Sequence, residues 1–233
     1  RCAARLPRGP CRDRIPEAIL PFMCTLVLLR RPDRDWPLIL AANRDEMADR
    51  PSRAPGRHWP DRPEVLGGLD TLSGGSWLAM NDHGLVAAVL NRRGSLGPAA
   101  GKRSRGELVL EALDHADAAA AAWALADLDP QAYRSFNLVV ADERDAFWLR
   151  NLGEAAEGIE VFPLPRGLSM LSAFDRNDPT SPRVQRFLPR FEAAPPPDPS
   201  GGDWSAWQEL LAARSTEVGP EEAAMTVVTD SGF

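Results

Sequence analysis

A chain of 233 residues with 44% hydrophobic residues is long enough to bury a full core in one large domain. Its formal net charge of −6 and pI near 5.2 supply no basic face for a run of phosphates, which excludes nucleic acid as a partner class. No apolar run reaches the ~18 residues of a membrane span, because Arg30 and Arg31 end the longest one, so a soluble, cytoplasmic protein is expected.

The first 22 residues, RCAARLPRGPCRDRIPEAILPF, hold five arginines against Asp13 and Glu17 and contain no signal-peptide core. Charge changes sign at Met23, and the segment is expected to be non-native upstream sequence or a flexible leader, an ordinary N-terminal arm being the alternative. The domain is then expected over 23–233, cut short at its C-terminus, since VVTDSGF ends straight after a strand-like run.

CTLVLLR (24–30) and PLILAAN (37–43) read as buried strands joined by the turn-rich RPDRDW. A hairpin symmetric about Arg34 sets residue 24 opposite residue 44, bringing Cys24 beside Arg44 and Asp45. The Pro-, Arg- and Gly-rich stretch that follows, as far as Gly75, reads as one long functional or mobile loop. A second hairpin spans SWLAM (76–80), NDHG and LVAAVLN (85–91). SRGE (104–107) is a capping-box signature before LVLEALDHA, and Asp117 precedes the alanine-rich AAAAAWALADL, so two helices come next. Strands return at 136–142, 146–151, 159–162 and 168–173, helices at 181–191 and 203–214, and a last strand at MTVVT (225–229). This block order, rather than βαβ alternation, indicates an α+β protein with stacked antiparallel sheets and helices outside.

Cys24 carries the sharpest chemical question. At a strand start it can be a small buried hydrophobe. Alternatively, if translation starts at Met23 and that residue is removed, Cys24 holds a thiol and an α-amine of pKa near 7.7–8.0, so one residue is nucleophile and base. NRDE (43–46) offers Asn43, Arg44, Asp45 and Glu46 at a strand end, either as a solvated turn or as the groups that orient the thiol and amine. GGLDTLSGGSW (67–77) surrounds Asp70 with Gly74, Gly75 and Trp77; it lacks a Walker lysine and is either a flexible loop or a place where backbone approaches a substrate. Asn91 is a turn residue or an amide facing an oxyanion, and Asn177 is the residue of interest in the turn-rich SAFDRNDPTSP. Cys2, Cys11 and Cys24 make no disulfide framework, and His58, His83 and His115 have no ligand spacing, so neither a metal nor a cofactor is expected.

MCTLVLL (23–29), ANRDE (42–46), GGLDTLSGGSWLAMNDHGLVAAVLN (67–91), FNLVVAD (136–142) and VVTDSGF (227–233), in that order, resemble the NRDE or transport-and-Golgi-organisation family. The resemblance implies an αββα sandwich of two stacked antiparallel sheets, like that of N-terminal-nucleophile hydrolases. It also implies Cys24 as nucleophile, Arg44 and Asp45 as its orienters and Asn91 near the oxyanion, as in the bile-salt hydrolase and penicillin V acylase branch. Two departures stand out: Ser169-Met170 replaces the family's Ser-Asn, so that the amide either comes from elsewhere, with Asn177 the candidate, or is missing, and the strand beyond TDSGF is absent. Relatives linked to haem or acyl-lipid handling imply an alternative. The main readings are therefore a hydrolase acting on the amide bond of a small molecule, or a non-catalytic carrier or chaperone of haem, an acyl thioester or another amphipathic metabolite, with a structural scaffold as a third. Oligomeric state is left open.

Overall fold

The protein is represented by a computed structural model that describes residues 24–47, 49–214 and 223–226. The expected leader (1–22) lies outside the described residues, and so does most of the expected last strand; Thr226 forms an isolated bridge to Arg214.

Strand β1 (Thr25–Arg30) pairs antiparallel with β2 (Leu38–Asn43) in the register Thr25↔Asn43 to Arg30↔Leu38. Continued by one residue, this places 24 opposite 44, the pairing that symmetry about Arg34 requires. The connecting turn is closed by Arg31 N donating to Pro37 O at 2.7 Å. On the other edge of β1 lies β10 (Gly167–Leu171), so β1 is central in a three-stranded sheet. A central strand covered on both faces explains its unbroken apolar run. Leu26 and Leu28 point one way and Val27 the other, each with at most 1% of its surface exposed.

The second sheet has seven strands in chain order: β3 (Ser52–Gly56), β4 (Leu66–Asp70), β5 (Leu78–Met80), β6 (Val86–Asn91), β7 (Phe136–Ala141), β8 (Ala146–Asn151) and β9 (Glu160–Pro163). Strands β3 and β4 stand where one long loop was expected. Their composition hides them: SRAPG is exposed and bears a proline at the sheet edge, and LGGLD has too few side chains to show alternation. The glycines are there for close approach. A Cβ on Gly67 would lie 2.3 Å from Ala79 Cβ, and one on Gly68 would lie 2.3 Å from the Trp77 ring.

Among the described residues, four α-helices complete the fold. α1 (Gly106–Leu113) and α2 (Ala118–Ala126) cover the seven-stranded sheet; α3 (Pro182–Ala193) and α4 (Ser205–Leu211) cover the three-stranded one. Asp117 caps α2 as expected, accepting from Ala120 N at 2.8 Å. The capping box expected at α1 is not made: Arg105 takes the cap position without a side-chain cap bond, Ser104 Oγ accepts only from Gly106 N at 3.2 Å, and Glu107 turns to Arg103 instead of reaching back. One apolar cluster fills the space between α1/α2 and the large sheet, a second lies between the sheets (Leu26, Leu28, Ala88, Val139, Trp148) and a third lies under α3/α4 (Val27, Met170, Phe187, Trp207). The layers therefore run helix, sheet, sheet, helix, an αββα sandwich of antiparallel sheets. Among the described residues, no helix is long and apolar enough to cross a membrane.

Candidate functional site

The β1–β2 hairpin brings its open end, with Cys24 on one arm and Arg44 and Asp45 on the other, to the wall of a cavity of about 410 Å³. The cavity is closed on the far side by Trp77, the end of β6 at Asn91, and the 97–106 segment that leads into α1.

Cys24 is half-buried, and its Sγ donates to the Asp45 carbonyl oxygen at 3.7 Å. Burial pushes the thiol up from its ordinary 9.0 to about 11, the carboxylate of Asp45 adds to the rise, and the bond to the Asp45 carbonyl and the Arg44 guanidinium oppose it. With an amide nitrogen on Cys24, this thiol stays protonated at neutral pH and is a weak nucleophile.

The groups around it are tied to one another. The Asp45 carboxylate accepts from Arg183 Nη1 at 3.0 Å, and the same nitrogen donates to Thr25 Oγ1 at 2.8 Å. Arg183 sits in the first turn of α3 with no exposed surface, so its charge is matched by Asp45 in a setting where an ion pair is poorly screened. Asp45 thus offers its carbonyl to the thiol while its carboxylate is held by α3. Arg44 stacks on Trp77, its Cζ 4.2 Å from the ring centroid, and lies 3.9 Å from Glu46. Arg50 bridges Glu46 at 3.6 Å and Asp70 at 2.6 Å. Desolvation works to raise the Asp70 carboxyl, but the hydrogen bond from Arg50 and those from the backbone of Leu72 and Ser73 prevail and hold it below its usual range.

Across the cavity the balance of charge differs. Arg105 donates to Ser95 Oγ at 2.9 Å and Ser135 O at 3.1 Å, Arg134 to Leu96 O at 2.6 Å, and Lys102 to Gln131 O at 2.7 Å, all neutral acceptors. Desolvation, helped by the neighbouring Arg134, brings the Arg105 guanidinium down to about 10, while the charges of Cys24 and Glu46 act to raise it.

Of the residues singled out in the sequence, Cys24, Arg44, Asp45, Asp70, Trp77 and Asn91 all line this cavity. Asn91 is half-buried, and its side chain has no hydrogen bond among the described residues, which leaves its amide free to face a ligand. Four others are placed elsewhere. Asn43, next along β2 from Arg44, points to the opposite face and ties Leu211 O and Met225 O at 2.8 and 2.9 Å. Asn177 takes a left-handed backbone (φ 53°) and closes its own turn by accepting from Met170 N at 2.7 Å, so it does not stand in for the family's amide. Gly74 and Gly75 act through backbone contacts: Gly74 O accepts from Trp59 Nε1 at 2.8 Å, and a Cβ on Gly75 would lie 2.5 Å from the Gly106 carbonyl carbon. Arg183, Arg105 and Arg134 were not anticipated. Single arginines far apart in the chain carry no local pattern that would single them out. Among the described residues, no group of His, Cys, Asp and Glu could hold a metal ion.

The profile of the family described as Transport and Golgi organisation 2 matches residues 23–218. The chain is similar to the Transport and Golgi organization protein 2 homolog of Bos taurus, with 39% identity over 110 residues covering 45% of this chain and 38% of that protein. The Homo sapiens homolog is 37% identical over 110 residues, with the same coverage of 45% and 38%. The chain therefore spans about two fifths of the length of these relatives. Among solved structures, a C2A mutant of conjugated bile acid hydrolase from Clostridium perfringens aligns at 14% identity over 63% of this chain and 44% of that one, with a TM-score of 0.34. Penicillin V acylase from Agrobacterium tumefaciens aligns at 14% identity over 60% of this chain and 41% of that one, with a TM-score of 0.32.

Proposed function

Because the chain belongs to the Transport and Golgi organisation 2 family, we propose that it is a cysteine hydrolase of N-terminal-nucleophile type acting on an amide bond of a small molecule. The observation that carries this reading is the hairpin register, which sets Cys24 opposite Arg44 on the wall of a cavity large enough for a small ligand. In the working form, residue 24 is the first residue and its α-amine is free. That amine takes the thiol proton, and the sulfur attacks the substrate carbonyl carbon to give a tetrahedral oxyanion facing the Asn91 amide. The protonated amine then gives its proton to the departing nitrogen as the C–N bond breaks, and water, deprotonated by the same amine, hydrolyses the thioester. Arg44 and Asp45 act by position: Arg44, stacked on Trp77, favours the thiolate, and the Asp45 carbonyl fixes the sulfur.

A second reading is favoured by the thiol's rise to about 11, which suits a site that binds without reacting. In it, the same cavity carries an acyl thioester, haem or another amphipathic metabolite. Intact-mass measurement of protein isolated from its natural host, combined with an acylating thiol probe, separates the two. Hydrolysis requires a mass beginning at Cys24 and probe addition there; a mass retaining Met23, or a Cys24→Ala variant that keeps full activity, overturns it.

A further inference from the structure

Among the described residues, six cationic side chains line the cavity against three carboxylates, Asp45, Glu46 and Asp70, in a chain whose overall charge is −6. The three carboxylates are all taken: Asp45 by Arg183, Glu46 by Arg44 and Arg50, and Asp70 by Arg50. Arg103 is likewise matched, by Glu107 and Glu111. That leaves Lys102, Arg105 and Arg134, which have no carboxylate within ion-pair distance among the described residues and are bonded only to carbonyls and one hydroxyl. Holding desolvated cations near one another is costly unless an anion compensates them. At Arg105, burial and the neighbouring Arg134 both act against the charge.

These guanidiniums are also preorganised. The carbonyls of Leu96 and Ser135 and the Ser95 hydroxyl fix them in place, and two glycines of left-handed backbone, Gly94 and Gly97, shape the loop that does so. α1 begins at Gly106 on the same wall, so the positive end of its backbone dipole adds to the field. Cys24 and its paired carboxylates occupy the other side.

We infer that the Lys102–Arg105–Arg134 side of the cavity is an anion subsite, which receives a carboxylate, sulfonate or phosphate on the part of the ligand remote from the bond that meets Cys24. The site thus selects an organic anion over its neutral analogue. This inference rests on the proposed reading of the cavity as a small-molecule site, but not on any reaction at Cys24.

The test is equilibrium titration of the full chain and its Cys24→Ala variant with 8-anilino-1-naphthalenesulfonate and with the uncharged N-phenyl-1-naphthylamine. The sulfonate binds both proteins about tenfold or more tighter than the amine, with strong weakening by salt, and Arg105→Gln/Arg134→Gln removes that preference while leaving amine binding unchanged. Lys102→Glu, which gives up only one side-chain bond, to Gln131 O, lowers the preference severalfold and decides the matter if the double variant does not fold. Equal affinity for the two probes, or parallel loss of both in Lys102→Glu, overturns the subsite. Displacement of the sulfonate by inorganic phosphate at lower concentration than by butyrate assigns a phosphate headgroup, and the reverse order a carboxylate; displacement by neither also overturns it. If Cys24 resists acylation while the probe preference persists, the hydrolase reading fails alone; if acylation proceeds without the preference, the subsite fails alone.

Discussion

The two helical layers of the sandwich are held to their sheets by different physics. Under α1 and α2 the core contacts are apolar: Leu108, Ala112, Leu113 and Leu125 meet Leu138, Val140 and Leu149. Two polar ties of this layer sit at the helix ends and bond only to backbone: the Asn81 amide donates to Leu113 O at 3.0 Å and His115 O at 2.8 Å where α1 ends, and the Asp142 carboxylate accepts from Ala118 N at 2.8 Å where α2 begins. Under α3 and α4 an apolar cluster is joined by a fully buried cation, Arg183, that reaches through to Thr25 and Asp45 at the site. Burial of apolar area is additive and indifferent to pH, whereas a desolvated ion pair ties one helix to one carboxylate and fails when either charge is lost. Only the second layer is therefore wired to the position of Cys24.

Substitutions can break that contrast. Arg183→Met leaves the Asp45 carboxylate without this partner and is expected to destabilise the fold by about 3–5 kcal/mol in urea denaturation, with part of the loss recovered in Arg183→Met/Asp45→Asn. It should also change the rate of Cys24 alkylation. In the other layer, Leu113→Ala is expected to cost about 2–4 kcal/mol by the same measurement while leaving Cys24 alkylation unchanged; an equal effect on the thiol would erase the distinction. Gly75→Ala, which forces a methyl against the Gly106 backbone, is expected to cost about 1–3 kcal/mol and to disturb the cavity wall through α1.

The smallest effects are in pH dependence. The Asp70 carboxyl is held below its usual range by Arg50, so the pair's contribution is full above the unfolded-chain value near 3.8 and is lost as pH falls through the depressed folded value. Screening at this partly exposed site limits it to about 1 kcal/mol, and Arg50→Gln should flatten the acid limb of a stability-against-pH curve by that amount. In a chain retaining Met23, the rate of Cys24 alkylation should climb with pH toward an inflection near 11, and freeing the α-amine should move the inflection down.

Much of the framework was legible in the residues. The hairpin register followed from two apolar runs of equal length and a polar turn, since pairing across a short connection is a local matter. Strands β6 to β10 and all four helices were found within a few residues, and Asp117 marked the start of α2. Strands β3 and β4 were not, because glycine and proline signal loops unless a neighbouring Ala79 or Trp77 is known to need the space. Asn43 and Asn177 were drawn toward the site by their chemistry, yet backbone direction sends one to Leu211 and Met225 and closes the other upon Met170.

The chain by itself determined what depends on near neighbours: an α+β order of elements, the meeting of Cys24 with Arg44 and Asp45, and family membership. Tertiary structure alone decided which charges are matched. Arg183 reaches Asp45 across 138 positions of sequence, and Lys102, Arg105 and Arg134 come to one wall with no carboxylate of their own among the described residues. Charge compensation and desolvation depend on distance in space and on exclusion of water, and neither is written in the spacing of residues along a chain.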